Sequence, residues 1–214
     1  MKTIIKSDTN PCLKTARENG WTWDDFHSHA PDDYIKCREQ ALAEQQYECA
    51  YTGLWLGDGS SQKIHIDHFR KQSLYPELIF HWHNLFATAK DSDYGADFKD
   101  GIIRGPRNHS DKQYDAFFSP LETNLKDYFW YRQDGKIEPN PTFDEIRDKE
   151  LLAKIRNTIE IFNLNADDMK HRRRGIIESV RGLQQLDDTE VMACMQTSGF
   201  SFVVEFELQH RNDS

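Results

Sequence analysis

The stretch KIHIDHFRKQS, residues 63–73, decides how this sequence is interpreted. It places His65, Asp67 and His68 within four positions, between isoleucines that alternate as in a half-buried strand. A strand with polar residues on its solvent face would carry this pattern. The edge of a metal site would carry it as well, because such a site sets carboxylates and imidazoles side by side. The rest of the chain has to decide between the two.

The composition is that of an acidic, water-soluble protein. Its 214 residues include 27 Lys and Arg against 36 Asp and Glu, for a net charge of -9. Proteins that bind nucleic acid through phosphate contacts alone usually carry the opposite excess. A nucleic-acid function would therefore need local basic patches, a bound metal ion or the surface of a partner.

The same composition bears on the compartment. We find no apolar run near the roughly 20 residues that a membrane span needs, and the first residues lack the apolar core of a signal peptide. Four cysteines without any CxxC spacing suit a reducing environment. We therefore expect a cytoplasmic protein that makes no membrane contact.

Periodicity and turn residues predict a mixed α+β chain. The predicted elements before residue 114 are a helix over 31–46, two strands over 47–67 joined by a turn at 57–59, a short polar helix or turn over 87–99, and a loop over 101–113. Those after it are a hairpin over 127–139, a helix from about 144, a second helix capped by Asn165 and a third over 187–197. The tail 200–209 alternates as a strand does, although a helix buried on both sides would look the same.

Several acidic residues could complete a metal site with the first motif. We expect Asp67 at a strand end, with His68 turned into the same cleft. Asp91, Asp93 and Asp97 follow some 25 residues later, and on a helix Asp93 and Asp97 would share a face. Two such carboxylates can hold a hard divalent cation, and a neutral imidazole beside them can take a proton from water. This arrangement suits phosphodiester hydrolysis.

These motifs resemble the HNH endonucleases, and more closely the PtuB-type HNH proteins of Septu and retron-associated anti-phage systems. The likeness rests on CAYTG at 49–53, on HIDHFRKQSLYPELIFHWHNLF at 65–86 and on DSDYGADFKD at 91–100. It is dense over 47–100 and looser to about residue 175. It implies a small ββα-metal (HNH) nuclease core over 47–112, after an N-terminal helical lead-in over 1–46 and before a hairpin and C-terminal helical region over 113–214.

The resemblance also implies roles for single residues. His68 would be the general base, and Asn84 would brace the loop that holds it. Asp67 would bind one Mg²⁺ or Mn²⁺ together with Asp93 or, one turn later, Asp97. His65 is either a third ligand or a histidine that faces solvent.

Many relatives add a structural zinc held by two pairs of cysteines. Only Cys49 is left of those pairs here, and Thr52 stands where its partner would be. We therefore expect packing to hold the hairpin in place of zinc, through Tyr51, Trp55, Phe80 and Trp82.

The implied function is a metal-dependent endonuclease that acts on DNA or tRNA, as the effector subunit beside a PtuA-type ATPase. The cations predicted to contact phosphates are Arg70, Lys71, Lys99, Arg104 and Arg107. A cationic helix over 170–181 would be either ordinary surface charge or a binding surface. Two other functions stay open: a degraded HNH-fold adaptor that docks to the ATPase, and a free-standing toxin nuclease.

Overall fold

The structure is a computed structural model that describes residues 1–57 and 64–211. Helices surround two small antiparallel sheets, so the predicted α+β class is confirmed. The first half contains helices α1 Lys14–Glu18, α2 Trp23–His29 and α3 Pro31–Glu44, strands β1 Ile64–His68 and β2 Leu85–Ala89, and helices α4 Gly95–Ile102 and α5 Arg107–Asp115. The second half contains helix α6 Leu125–Tyr128, strands β3 Phe129–Tyr131 and β4 Ile137–Pro139, and helices α7 Lys149–Ile161, α8 Asp167–Gly182, α9 Asp188–Cys194 and α10 Ser201–Gln209.

Strand β1 pairs with β2, from Ile64 opposite Ala89 to His68 opposite Leu85. The prediction that β1 pairs with a strand before residue 57 is therefore wrong. Residues 47–56 instead form a tight turn, closed by one bridge between Glu48 and Trp55. The turn expected at 57–59 falls largely on residues 58–63, outside the described part of the chain.

The two faces of this sheet pack against different parts of the protein. Ile64, Ile66, Leu85 and Ala87 belong to a core cluster with the N-terminal helices. Phe86 points the other way, into a larger cluster built mainly from the C-terminal region. Because strand side chains alternate between faces, each residue of the motif at 65–68 is assigned to one of these two sides.

Two sequence predictions near the sheet need correction. Residues 87–89 lie in β2, and the helix expected there begins only at Gly95. The loop expected over 101–113 contains helix α5, which starts directly after Pro106. A proline is well tolerated at a helix start, so Pro106 marks the beginning of a helix.

In the C-terminal region the hairpin is confirmed, and Gly135 lies in its turn. Helices α7, α8 and α9 also lie where the spacing predicted them, although Asn165 does not cap α8. Its side-chain oxygen instead accepts from the N–H of Ile137, and its side-chain nitrogen donates to the carbonyl of Ile137, both at 2.8 Å. The tail is helix α10, and its first amide donates to the buried carboxylate of Glu48 at 2.7 Å.

Candidate functional site

His68 ends strand β1, and a single hydrogen bond fixes its ring. Its Nε2 lies 3.0 Å from the carbonyl oxygen of Ile79, in the loop between β1 and β2. A carbonyl only accepts, so Nε2 carries the proton and Nδ1 is the basic nitrogen in the neutral ring. Burial lowers the pKa of His68 below its usual value, against the opposing effects of Asp67 and the Ile79 carbonyl. The ring is therefore neutral near pH 7.

Asn84 closes the loop that carries Ile79. Its side chain oxygen accepts from the main-chain N–H of Arg70 at 2.8 Å, and its nitrogen donates to the carbonyls of Arg70 at 3.0 Å and Leu78 at 3.3 Å. Asn84 is itself buried and immediately precedes β2. The structure thus places it where the predicted brace would act, with main-chain contacts at both ends of the loop.

Asp67 is buried and already has partners. Its carboxylate accepts a short hydrogen bond from the Tyr51 hydroxyl, and the ammonium of Lys99 lies 3.4 Å from the same oxygen. Burial and the charge of Asp67 raise the pKa of Tyr51 well above its usual value, so Tyr51 remains a donor. Burial alone would lower the pKa of Lys99, but Asp67 and Asp100 raise it by more. This cluster is an ion pair between buried groups.

The expectation that Asp67 and His68 face one cleft does not hold. Asp67 contacts Tyr51, which belongs to the C-terminal core. The ring of His68 instead meets the Trp23 ring of helix α2 edge-on, 4.7 Å away. Both residues lie within β1, where successive side chains point to opposite faces. His68 and Asp67 are each only 7% exposed.

The aspartates of the 91–97 segment do not converge with Asp67. Asp93 precedes α4 and is exposed, so it shares no helix face with Asp97. Asp91 accepts from the main-chain N–H of Asp93 at 2.9 Å, as in a turn. Asp97 lies in the first turn of α4, where its carboxylate is 4.0 Å from Nε2 of His65. The proximity of His65 to Asp97 therefore brings together two of the predicted ligands, at a distance from Asp67.

The side chains beside Asp67 do not fit the predicted divalent ion. Within the described part of the chain, no three or more His, Cys, Asp or Glu side chains converge where they could hold a metal. Helix α4 presents Lys99 to Asp67, at the place where a second acidic ligand was expected. The magnesium or manganese ion thus remains a prediction of the resemblance, and we derive no chemical step from it.

The five predicted phosphate-binding cations divide into two groups. Lys99 is fully buried, and Lys71 donates to the carbonyls of Asp100 and Ile103 at the end of α4. The guanidinium of Arg70 is held by Asp111 at 3.1 Å. Only Arg104 and Arg107 are exposed. A fully buried ammonium cannot contact a phosphate, so this prediction is wrong for Lys99.

The cationic helix over 170–181 is largely neutralised by its neighbours. Arg172 pairs with Asp168 at 2.8 Å, and Arg174 pairs with Glu178 at 2.7 Å. Arg173 is buried and donates to the carbonyls of Gly135 and Leu164, both at 2.7 Å. These contacts favour surface and structural roles for this helix.

Two residues of the site escaped the sequence analysis. Trp23 covers His68, and nothing in a local motif links α2 to β1. Lys99 did leave a signal, because Ala96, Lys99 and Ile103 follow one face of a helix, and the two apolar positions are buried. A lysine within such a stripe indicates a buried ammonium that needs an acidic partner.

Comparison with known proteins shows a similarity to a retron protein. An Escherichia coli protein named "Retron Ec83 putative HNH endonuclease" is 26% identical, over 83% of this chain and 79% of its own length. That name agrees with the resemblance to retron-associated HNH proteins and mentions neither Septu nor PtuB. No protein-family model matches the chain. Among residues 1–57 and 64–211 there is also no helix whose length and apolarity would let it cross a bilayer.

Proposed function

We propose that this protein is an HNH-type nuclease that hydrolyses phosphodiester bonds, with His68 as its general base. The observation that carries the proposal is the hydrogen bond from His68 to Ile79, in a loop closed by Asn84. It leaves Nδ1 of a neutral imidazole free to accept a proton, which is what a base needs near neutral pH. The retron-associated relative supports the same chemistry through its name.

In the proposed reaction, His68 takes one proton from a water molecule. The water oxygen attacks phosphorus, the bond from phosphorus to the 3'-oxygen breaks, and that 3'-oxygen receives a proton from solvent. Cleavage of this kind leaves a 5'-phosphate. Attack by the 2'-hydroxyl of an RNA substrate would instead leave a cyclic phosphate, so the product ends identify the nucleophile.

The biological setting is proposed from the resemblance and from the relative. A retron-associated anti-phage system accounts for the relative's name better than a Septu system does. PtuB-type proteins act beside a PtuA-type ATPase, and we propose such a partner here. The net charge of -9 fits this arrangement, because the partner could supply the broad basic surface that DNA or tRNA requires.

A second function, an adaptor without catalysis, is favoured by a specific observation. Asp67 is neutralised by Lys99, and His68 lies beneath Trp23, so neither group faces open solvent. A nuclease requires Trp23 to move away from His68 when substrate binds. An adaptor requires no such movement, and its old catalytic residues would serve only packing.

The deciding experiment is incubation with plasmid DNA and with total tRNA, in the presence and absence of the ATPase. If the protein is a nuclease, the fractions from a sizing column should cleave in proportion to the amount of this protein that each contains. The released fragments should carry 5'-phosphates. An adaptor binds the ATPase but yields no fragments under any of these conditions, and that result would overturn the proposed function.

A further inference from the structure

The ammonium of Lys99 lies in a pocket of oxygen atoms at the end of β1. Its Nζ is 2.6 Å from a carboxylate oxygen of Asp100 and 3.4 Å from one of Asp67. The main-chain carbonyls of Phe69 and His68 lie 3.0 and 3.3 Å away. Lys99 has no exposed surface. The pocket therefore encloses one positive charge with two carboxylates and two carbonyls.

These four oxygen groups are of the kind that bind hard divalent cations. Carboxylate and main-chain carbonyl oxygens are the usual ligands of Mg²⁺, Mn²⁺ and Ca²⁺ in proteins. Magnesium would bind at about 2.1 Å from its oxygen ligands. This distance is shorter than the 3.4 Å between the Asp67 carboxylate and the Lys99 ammonium, so the ion and the ammonium would compete for the same space. Two cations cannot share so small a space, because their mutual repulsion is strong in a buried site.

We propose that Lys99 is the built-in cation of this centre, and that its ammonium fills the position in which a divalent ion would bind Asp67. The wild-type centre then takes up no divalent ion at Asp67. This inference deepens the proposed function by naming the cation of the same site. Its test uses metal binding, so it can fail or succeed independently of cleavage.

Charge explains why one lysine suffices. With Lys99 present, one ammonium pairs with both carboxylates, that of buried Asp67 and that of Asp100, whose side chain is 39% exposed. Without the ammonium, the same pocket holds two carboxylates that have lost their shared cation and two carbonyls, which suits a divalent ion. Lys99 contacts the carbonyl of His68 but no solvent, so it acts as a positioning residue for the end of β1.

The test is Mn²⁺ binding, measured by electron paramagnetic resonance on the wild type, Lys99→Ala and Lys99→Ala/Asp67→Asn. Lys99→Ala should bind one Mn²⁺ more than about tenfold tighter than the wild type. The second substitution should abolish that gain. The matched control is Lys71→Ala, which removes an ammonium from the end of α4 but not from Asp67, and it should bind Mn²⁺ no better than the wild type.

Two results would overturn the inference. One is Mn²⁺ binding by the wild type that Asp67→Asn abolishes. The other is a folded Lys99→Ala variant, checked by far-ultraviolet circular dichroism, that gains no affinity for Mn²⁺. If Lys99→Ala does not fold, the test is the melting temperature of the wild type with and without Mn²⁺. A rise with Mn²⁺ that is lost in Asp67→Asn contradicts the inference. A melting temperature that Mn²⁺ does not raise supports the inference.

Discussion

Asn84 and His68 stabilise the same loop from its two ends. The imidazole donates to Ile79, and the amide of Asn84 binds main-chain groups of Arg70 and Leu78. A buried amide that satisfies three main-chain groups is costly to remove, because those groups lose partners without gaining water. The position of the proposed base is therefore tied to the stability of this loop.

We expect Asn84→Ala to lower the free energy of unfolding by roughly 2 kcal/mol, the cost of leaving buried main-chain groups unpaired. Urea denaturation followed by circular dichroism measures the change. The control is Asn157→Ala, which removes one exposed hydrogen bond to Ala116 and should change stability by less than about 0.5 kcal/mol. Equal effects of the two substitutions would show that Asn84 does not hold the loop.

At this scale the predictions from sequence had mixed success. The hydrogen bonds of Asn84 agree with the loop brace that the resemblance implies, whereas the shared cleft expected for Asp67 and His68 was wrong. Lys99 was misassigned because its partner, Asp67, is 32 positions away and on another element. A lysine next to exposed cations also looks like a surface residue until the helix face is known.

Among the elements, helix α2 has the most direct effect on the site. It begins with a capping box in which Thr22 and Asp25 bind each other's main-chain N–H, so its start is well fixed. Trp23 follows at once and lies against His68. The N-terminal lead-in therefore contributes to the burial of the predicted base, and we expect a substrate to reach His68 only when this ring moves.

We expect Trp23→Ala to expose His68 to chemical modification. Diethylpyrocarbonate reacts with accessible neutral imidazoles, and peptide mass spectrometry locates the modified histidines. In the wild type, exposed His81 of the same loop should react much faster than His68, and in Trp23→Ala the rate at His68 alone should rise. The account of α2 as a cover fails if His68 reacts as fast as His81 in the wild type.

A matched pair of glycines tests how the C-terminal hairpin packs on helix α8. Gly135 has a φ of +81°, and an added Cβ would lie 2.0 Å from the carbonyl oxygen of Lys170. Gly135→Ala should therefore destabilise the protein by more than about 1 kcal/mol. Gly175 lies within α8 with open space around it, so Gly175→Ala should stabilise by about 0.5–1 kcal/mol. Thermal melting that moves in the same direction for both would contradict this packing.

The sequence predicted elements well where local signals were sufficient. The hairpin around Gly135 and helices α7, α8 and α9 follow turn chemistry and helical spacing. Strand β1 could not be assigned its partner, because β2 lies beyond a 16-residue loop and pairing of this kind leaves no local pattern. Helix α10 alternates like a strand but is buried on several sides, and its first amide is held by Glu48 from a distant segment.

For the whole molecule, burial and charge indicate that the candidate site is closed to solvent in this structure. The proposed base lies between the N-terminal helices and the β1–β2 loop, and the acidic residue beside it is neutralised by Lys99 of α4. The three-part division at residues 46 and 112 remains a prediction, and Met1 and Ile4 pack into the C-terminal core. A partner that displaces α2 would both open the site and add basic surface.

The central claim is that His68 is the general base of phosphodiester hydrolysis, and the most direct test is the single-turnover cleavage rate of His68→Ala. We predict a fall of about 10²- to 10⁴-fold relative to the wild type, the usual contribution of a general base, while exposed His81→Ala keeps the wild-type rate. A His68→Ala protein that is folded and cleaves as fast as the wild type would contradict the account.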